Sequence, residues 1–450
     1  MLLCLLASIL GALPMVVLTP PFQVPDEPQH FDRAFQISEG IILAGLANGK
    51  AGGRLPASLP SLTRRFLGTD RTLAHRTISP QPISHTMQAL ALPLAPRRRT
   101  FVDFTGAAFY APFAYMPQAL GIAVGRWLGA GPLMLLYLAR TANALAAIAI
   151  LSAAIGLLPV GQGLALLGGL LPMALYEYAS VSPDALVISL GFLLTAVGLR
   201  ALLRGTWRPA EVAVAALAGL AVCSIKPVYA PLLLVSAPAA LVKDQRRNHL
   251  LALAVILVVG LGGTALWFNL VSRLVMTNQP HADVHAQLLL VLGHPLAFVR
   301  AMAAAAHRYF WFYLYSLIGD LGWLNVLLPR LVYLLAGVGL VLGYAACGAK
   351  TIRIPAIVPI WCTLLLAGAI VLVMLSMYLD ATPVGAPAVT GVQGRYFLPL
   401  LALVASILGS LPPARIGQRL GAALLAAVAG IVMLDAAIAM ARICTVFRVL

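Results

Sequence analysis

Acidic side chains are scarce: 14 of 450 positions are Asp or Glu, against 30 Lys and Arg, and charged residues of both signs make up only 10% of the chain. A soluble globule of this length carries about a quarter charged residues, so that class is excluded. Cysteine is sparse too. The five cysteines (Cys4, Cys223, Cys347, Cys362, Cys444) are odd in number and lack CxxC spacing, which argues against a disulfide framework or a cysteine zinc site and leaves buried, inert thiols. There is no glycine-rich nucleotide-binding loop, and no internal repeat of the kind that marks inverted-repeat transporters. Met1–Leu18 lacks a basic stretch ahead of it, and Pro20-Pro21-Phe22 stands where a signal peptide has a small-residue cleavage site. That run is read as an uncleaved first span.

What the chain does have is apolar sequence. Hydrophobic residues make up 61% of it, in recurrent runs near the length of a bilayer crossing, which one soluble core cannot bury. The fold class is all-α: a polytopic helical membrane protein forming a single integral membrane domain over 1–450. The net charge of +16 comes largely from short Lys/Arg clusters between apolar runs, the pattern of the positive-inside rule, so no nucleic-acid partner is inferred. Arg200/Arg204/Arg208, Lys243/Arg246/Arg247, Lys350/Arg353 and Arg415/Arg419 are placed on the cytoplasmic side. Spans then fall near 1–19, 140–158, 163–181, 185–203, 211–225, 229–241, 250–271, 327–347, 354–378, 396–412 and 420–441. That is about eleven crossings, up to thirteen, at ~20 residues each. The expected setting is the cytoplasmic (inner) membrane, with the N-terminus inside and the C-terminus outside.

Two segments are expected outside. Residues 20–139 form a large first loop with a short amphipathic helix over Glu27–Ile42 and a more apolar one over Phe109–Leu128, which either lies in the interface or crosses. Residues 272–326 carry Phe310-Trp311-Phe312-Tyr313, suited to the headgroup level.

This topology gathers unusual residues on one outer face. Asp26 and Glu27 follow the first span between prolines, Arg140 opens the second, and Asp184 lies in Ser182-Pro183-Asp184. Lys226 sits at the turn of a hairpin. Arg395 lies in Gly391-Val392-Gln393-Gly394-Arg395-Tyr396, where Gln393 and Tyr396 add polar reach. Carboxylates and cations at one bilayer edge suit an anionic lipid headgroup and a hydroxyl to be activated, as for a sugar carried on polyprenyl phosphate. A carboxylate base accelerates such a step by on the order of 10²–10⁴, and cations hold the departing phosphate. Each residue also has a plainer reading: Asp184 as a helix cap, Arg140 and Lys226 as snorkelling side chains, Arg395 as an interfacial anchor. His30, three residues past Glu27, either orients a carboxylate and contacts substrate or faces water. No cofactor is indicated. His281-Ala-Asp283-Val-His285 has i,i+4 spacing but no third ligand, so no metal site is inferred.

Five motifs, PPFxxPDExxHF, LAR-TAN at 138–143, SPDA at 182–185, LGWLN at 321–325 and GVQGRYFLP at 391–399, resemble the bacterial predicted-membrane-protein family catalogued as domain of unknown function 2142 (DUF2142). More distantly, the layout resembles the GT-C superfamily of glycosyltransferases. That likeness implies a transferase taking sugar from a polyprenyl-phosphate donor to a glycan, lipid or protein acceptor among the membrane lipids. It makes Asp26 the base, Glu27 its neighbour or substitute, Asp184 the second acid and Arg140 the residue facing the donor phosphate. Lys226 and Arg395 are assigned to phosphate on electrostatic grounds. The competing readings are a lipid-linked saccharide flippase and a non-catalytic partner in envelope assembly.

Overall fold

The computed structural model describes residues 2–68, 78–241, 245–274, 282–349, 354–411 and 415–449. Helix α1 (Leu2–Leu18) leads to the first loop, which contains α2 (Glu27–Ser38), β1 (Gly45–Ala47), β2 (Lys50–Pro56), α3 (Ser58–Leu67), α4 (Ile83–Leu90), β3 (Arg99–Asp103) and α5 (Met116–Trp127). The three strands form an antiparallel sheet in the order β1-β2-β3, with Gly52 opposite both Gly45 and Asp103. The helix expected over Glu27–Ile42 ends four residues early, at Ser38.

Among the described residues, six helices are long and apolar enough to cross a bilayer: α6 (Pro132–Leu157), α9 (Asp184–Arg204), α11 (Arg246–Leu270), α14 (Arg330–Ala346, running on to Ala349), α15 (Ile357–Asp380) and α17 (Gln418–Phe447). The other expected spans are shorter or broken. The run expected at 163–181 splits into α7 (Gln162–Gly169) and α8 (Pro172–Tyr178), because Pro172 supplies no amide to the preceding turn. Helix α10 (Pro209–Ile225) is followed by 3₁₀ turns at Pro227–Leu234 and Ala237–Leu241 where a span was expected at 229–241. Pro227, Pro231 and Pro238 explain the tighter winding. Likewise Gly394–Leu400 is 3₁₀ around Pro399 before α16 (Leu401–Ser410).

Between α11 and α14, the described residues hold more regular structure than the sequence suggests. They form α12 (Val284–Gly293) and the 24-residue α13 (Pro295–Ile318), which meet at 107°, and then the β4 (Asp320–Leu321) and β5 (Val326–Leu327) hairpin. Counted as one broken span, the bent pair would raise the total to seven.

Helix α5 is 12 residues long, about 18 Å, well short of a ~30 Å hydrocarbon core. It packs on α6 through Gly121 and Gly125. A Cβ at Gly121 would lie 2.5 Å from the Leu138 carbonyl oxygen, so only a small residue permits this helix contact. Its other face exposes Met116, Leu120, Val124 and Trp127. The far end of α17 returns to the first loop, where Gln81 and Ile83 donate backbone hydrogen bonds to Phe447 (2.6 Å) and Val449 (3.0 Å).

Candidate functional site

The proline-rich turn after α1 separates its two carboxylates. Asp26 takes a left-handed backbone (φ 61) and stands exposed at the N-cap of α2, with no side-chain capping bond. Glu27, the first helical residue, is fully buried. It accepts from Arg140 Nε at 2.7 Å and Nη2 at 2.6 Å, and also from the amides of Phe22 (3.0 Å) and Val181 (3.1 Å). Arg140 is likewise fully buried, and its remaining donors reach the carbonyls of Val16, Thr19 and Pro20. The guanidinium thus satisfies carbonyls left open where α1 ends. Arg140 lies well inside α6, because that helix begins at Pro132 rather than at 140.

Glu27 and Arg140 are enclosed and engaged by each other and by backbone. They tie the end of α1, the start of α2, α6 and the loop before Asp184 together. Asn143 adds to the same knot by donating to the carbonyls of Ser180 (2.8 Å) and Ser182 (3.1 Å).

The other predicted residues form a more open cluster. Asp184 is ion-paired with Lys226. Arg395 donates to Glu177 Oε1 at 2.8 Å and to Gln393 Oε1 at 2.7 Å. The Tyr396 ring lies under both cations, 5.0 Å from Lys226 Nζ and 5.7 Å from Arg395 Cζ, centroid to atom. The Tyr229 hydroxyl fixes the backbone there by donating to the Tyr396 carbonyl at 2.7 Å. His30 is buried against this group, its Nδ1 2.7 Å from the Tyr115 hydroxyl. Burial lowers the His30 pKa to about 4 despite the raising fields of Asp26 and Asp184, with Lys226 and Arg395 adding to the fall. His30 is therefore neutral at pH 7. Burial also pushes the Tyr110 phenol up to about 12. Asp26, by contrast, has no ion pair among the described residues.

Tyr110 and Tyr115 were not singled out from sequence. They arrive because residues 105–115 wrap over α2: the Gly106 amide donates to Gln29 Oε1 at 2.8 Å, and Trp267 Nε1 donates to the Phe109 carbonyl at 2.8 Å. The LGWLN hairpin braces the same turn from another side. Trp323 Nε1 donates to the Phe22 carbonyl (3.2 Å), and Tyr176, which accepts from the Gly322 amide, donates to Gln23 (2.7 Å). All five sequence motifs thus converge here.

Asp283 caps α12 by accepting from the Ala286 amide at 3.0 Å, and His285 is exposed. His281 lies outside the described residues. Among those described, no group of three His, Cys, Asp or Glu side chains is arranged to hold a metal ion.

The model of a family described as a predicted membrane protein, DUF2142, covers residues 9–404. No curated protein and no solved structure matches the chain.

Proposed function

The chain belongs to the DUF2142 family of predicted membrane proteins, and on that premise we propose that it is an inverting glycosyltransferase with a GT-C-like layout. It forms one membrane domain of about eleven passages in the cytoplasmic membrane, with the site on the outer face. Its donor is a sugar on polyprenyl phosphate, and its acceptor is a hydroxyl of an envelope glycan, lipid or protein. The observation that carries the reading is Asp26: an exposed carboxylate with no ion pair among the described residues, near a buried and a part-buried carboxylate–cation pair.

In the reaction Asp26 takes the proton of the acceptor hydroxyl. The freed oxygen attacks the anomeric carbon, its C–O bond forms as the sugar–phosphate C–O bond breaks, and the bonding pair leaves on phosphate. Lys226 and Arg395 balance that charge from positions that Asp184, Glu177 and Tyr396 hold before substrate arrives, so little reorganisation is needed. Neutral His30, held by the Tyr115 hydroxyl, and the phenol of Tyr110 offer hydrogen bonds to sugar hydroxyls. The reading assigns Glu27 and Arg140 to positioning Asp26 and Asp184. It calls on no cofactor.

The test is mass spectrometry of lipid-linked and envelope glycans from cells whose only copy is wild type, deleted or Asp26→Asn. Loss of the same sugar in the deletion and the variant, with the variant inserted normally, is expected. A changed glycan profile in the deletion alone would overturn the base assignment.

One observation favours a lipid-linked saccharide transporter instead. Asp435, within α17, is 1% exposed and its Oδ1 has no hydrogen bond among the described residues, and a buried intramembrane acid is a common coupling device in transporters. The transferase reading expects Asp435→Asn to leave glycan transfer intact; loss of lipid-linked sugar translocation in that variant would favour transport.

A further inference from the structure

Helix α13 presents three distinct faces. One packs on the protein through Phe298, Ala301, Ala305 and Ser316. At 100° per residue, Leu296, Val299 and Phe310 point the opposite way, and each is more than half exposed. Between these faces runs a stripe of Arg300, Ala304, His307, Arg308, Trp311 and Tyr315. The Trp311 and Tyr315 rings stack at 6.2 Å, and Arg308 lies 5.5 Å from the Tyr309 ring centroid.

The charge on this stripe is of one sign. No Asp or Glu occurs from 284 to 319, both arginines are exposed, and neither is in an ion pair among the described residues. The helix is held lengthwise along the segment that leads to Arg395. Within α13, Ala301 accepts from the Val389 amide (3.4 Å) and Ser316 Oγ from that of Gly394 (2.8 Å), and Gln287 on the preceding α12 accepts from the Gly385 amide (2.9 Å). An apolar face, an aromatic pair and an unneutralised cationic flank on one helix are the features of an element lying at the headgroup level of a bilayer.

We propose that Arg300, His307 and Arg308, with Trp311 beside them, bind the phosphate headgroup of an anionic membrane phospholipid. Exposed guanidinium groups without carboxylate partners are suited to phosphate oxygens, and the indole suits the adjacent glycerol and carbonyl level. Leu296, Val299 and Phe310 then meet acyl chains. The assignment is independent of sugar transfer, because it concerns bilayer lipid and uses none of the residues given a catalytic role.

The test places a photo-crosslinking residue at Ala304, inside the stripe, or at Ala306, outside it, in the full chain. Each is reconstituted in nanodiscs of phosphatidylglycerol and phosphatidylcholine at equal mole fraction. Position 304 is expected to label phosphatidylglycerol about fivefold over phosphatidylcholine, with the preference falling as salt rises, and position 306 is expected to show none. Arg300→Gln with Arg308→Gln should abolish the preference at 304. If that double variant fails to insert, Arg308→Gln alone should reduce it. Equal labelling at 304, a preference unchanged in these variants, or competition by millimolar inorganic phosphate would each overturn the assignment.

Discussion

Glu27 and Arg140, 113 positions apart, meet in a two-point ion pair in which neither side chain is exposed. Removing one partner from a buried pair strands the other charge, at a cost of about 3–5 kcal/mol. Arg140→Ala and Glu27→Gln should therefore lower the thermal stability of the purified protein sharply, and its abundance with it. A melting temperature unchanged in both would contradict the knot described here.

The adjacent Asp26→Asn should behave in the opposite way. The side chain is exposed and has no ion pair among the described residues, so folding and insertion should match wild type, while transfer falls by on the order of 10²–10⁴. Melting curves and turnover measured side by side separate the two neighbours. Retained turnover would remove Asp26 from the chemistry.

The His30 pKa is lowered from 6.5 to about 4 in the folded protein, chiefly by burial. Between those values the unfolded chain binds a proton that the folded chain does not, so stability drops as pH falls from about 6.5 towards about 4. The loss is roughly 3 kcal/mol at its limit. His30→Gln should flatten this part of the stability profile, which equilibrium unfolding across that pH range would reveal. An equally steep profile in the variant would assign the acid sensitivity to other groups.

At Gly394 a Cβ would stand 2.0 Å from the Tyr313 carbonyl oxygen and 2.2 Å from the Leu317 amide, both backbone of α13. Neither can yield without moving the helix, so Gly394→Ala should cost at least the ~1–3 kcal/mol typical of overpacking. It should also displace Arg395. Donor binding and thermal stability should fall together, whereas Arg395→Lys should weaken binding with a smaller effect on stability. Normal donor affinity in Gly394→Ala would break this link.

The sequence made the membrane class legible, because long apolar runs report bilayer-length helices directly. It left Asp26 and Glu27 looking interchangeable. What separates them is one left-handed residue that turns the first outward and starts the helix with the second facing Arg140. Tyr110 and Tyr115 carried no signal, since their position depends on the docking of residues 105–115 through Gln29 and Trp267. Span lengths were misjudged where proline interrupts apolar sequence, at Pro172 and over 227–241, because hydropathy is blind to a missing amide. Helix α13 was less legible because Arg300, His307 and Arg308 interrupt its apolar sequence and because it is bent by 107° from α12.

The backbone bonds from Gln81 and Ile83 to Phe447 and Val449 have a bearing on biosynthesis. The first loop leaves the ribosome early, yet the segment that closes it arrives only when α17 has been made. During translation residues 81–83 wait with unfilled amides, and the loop can reach its final shape only after the intervening helices are inserted. The final shape of the first loop thus waits on a segment made far later in the chain.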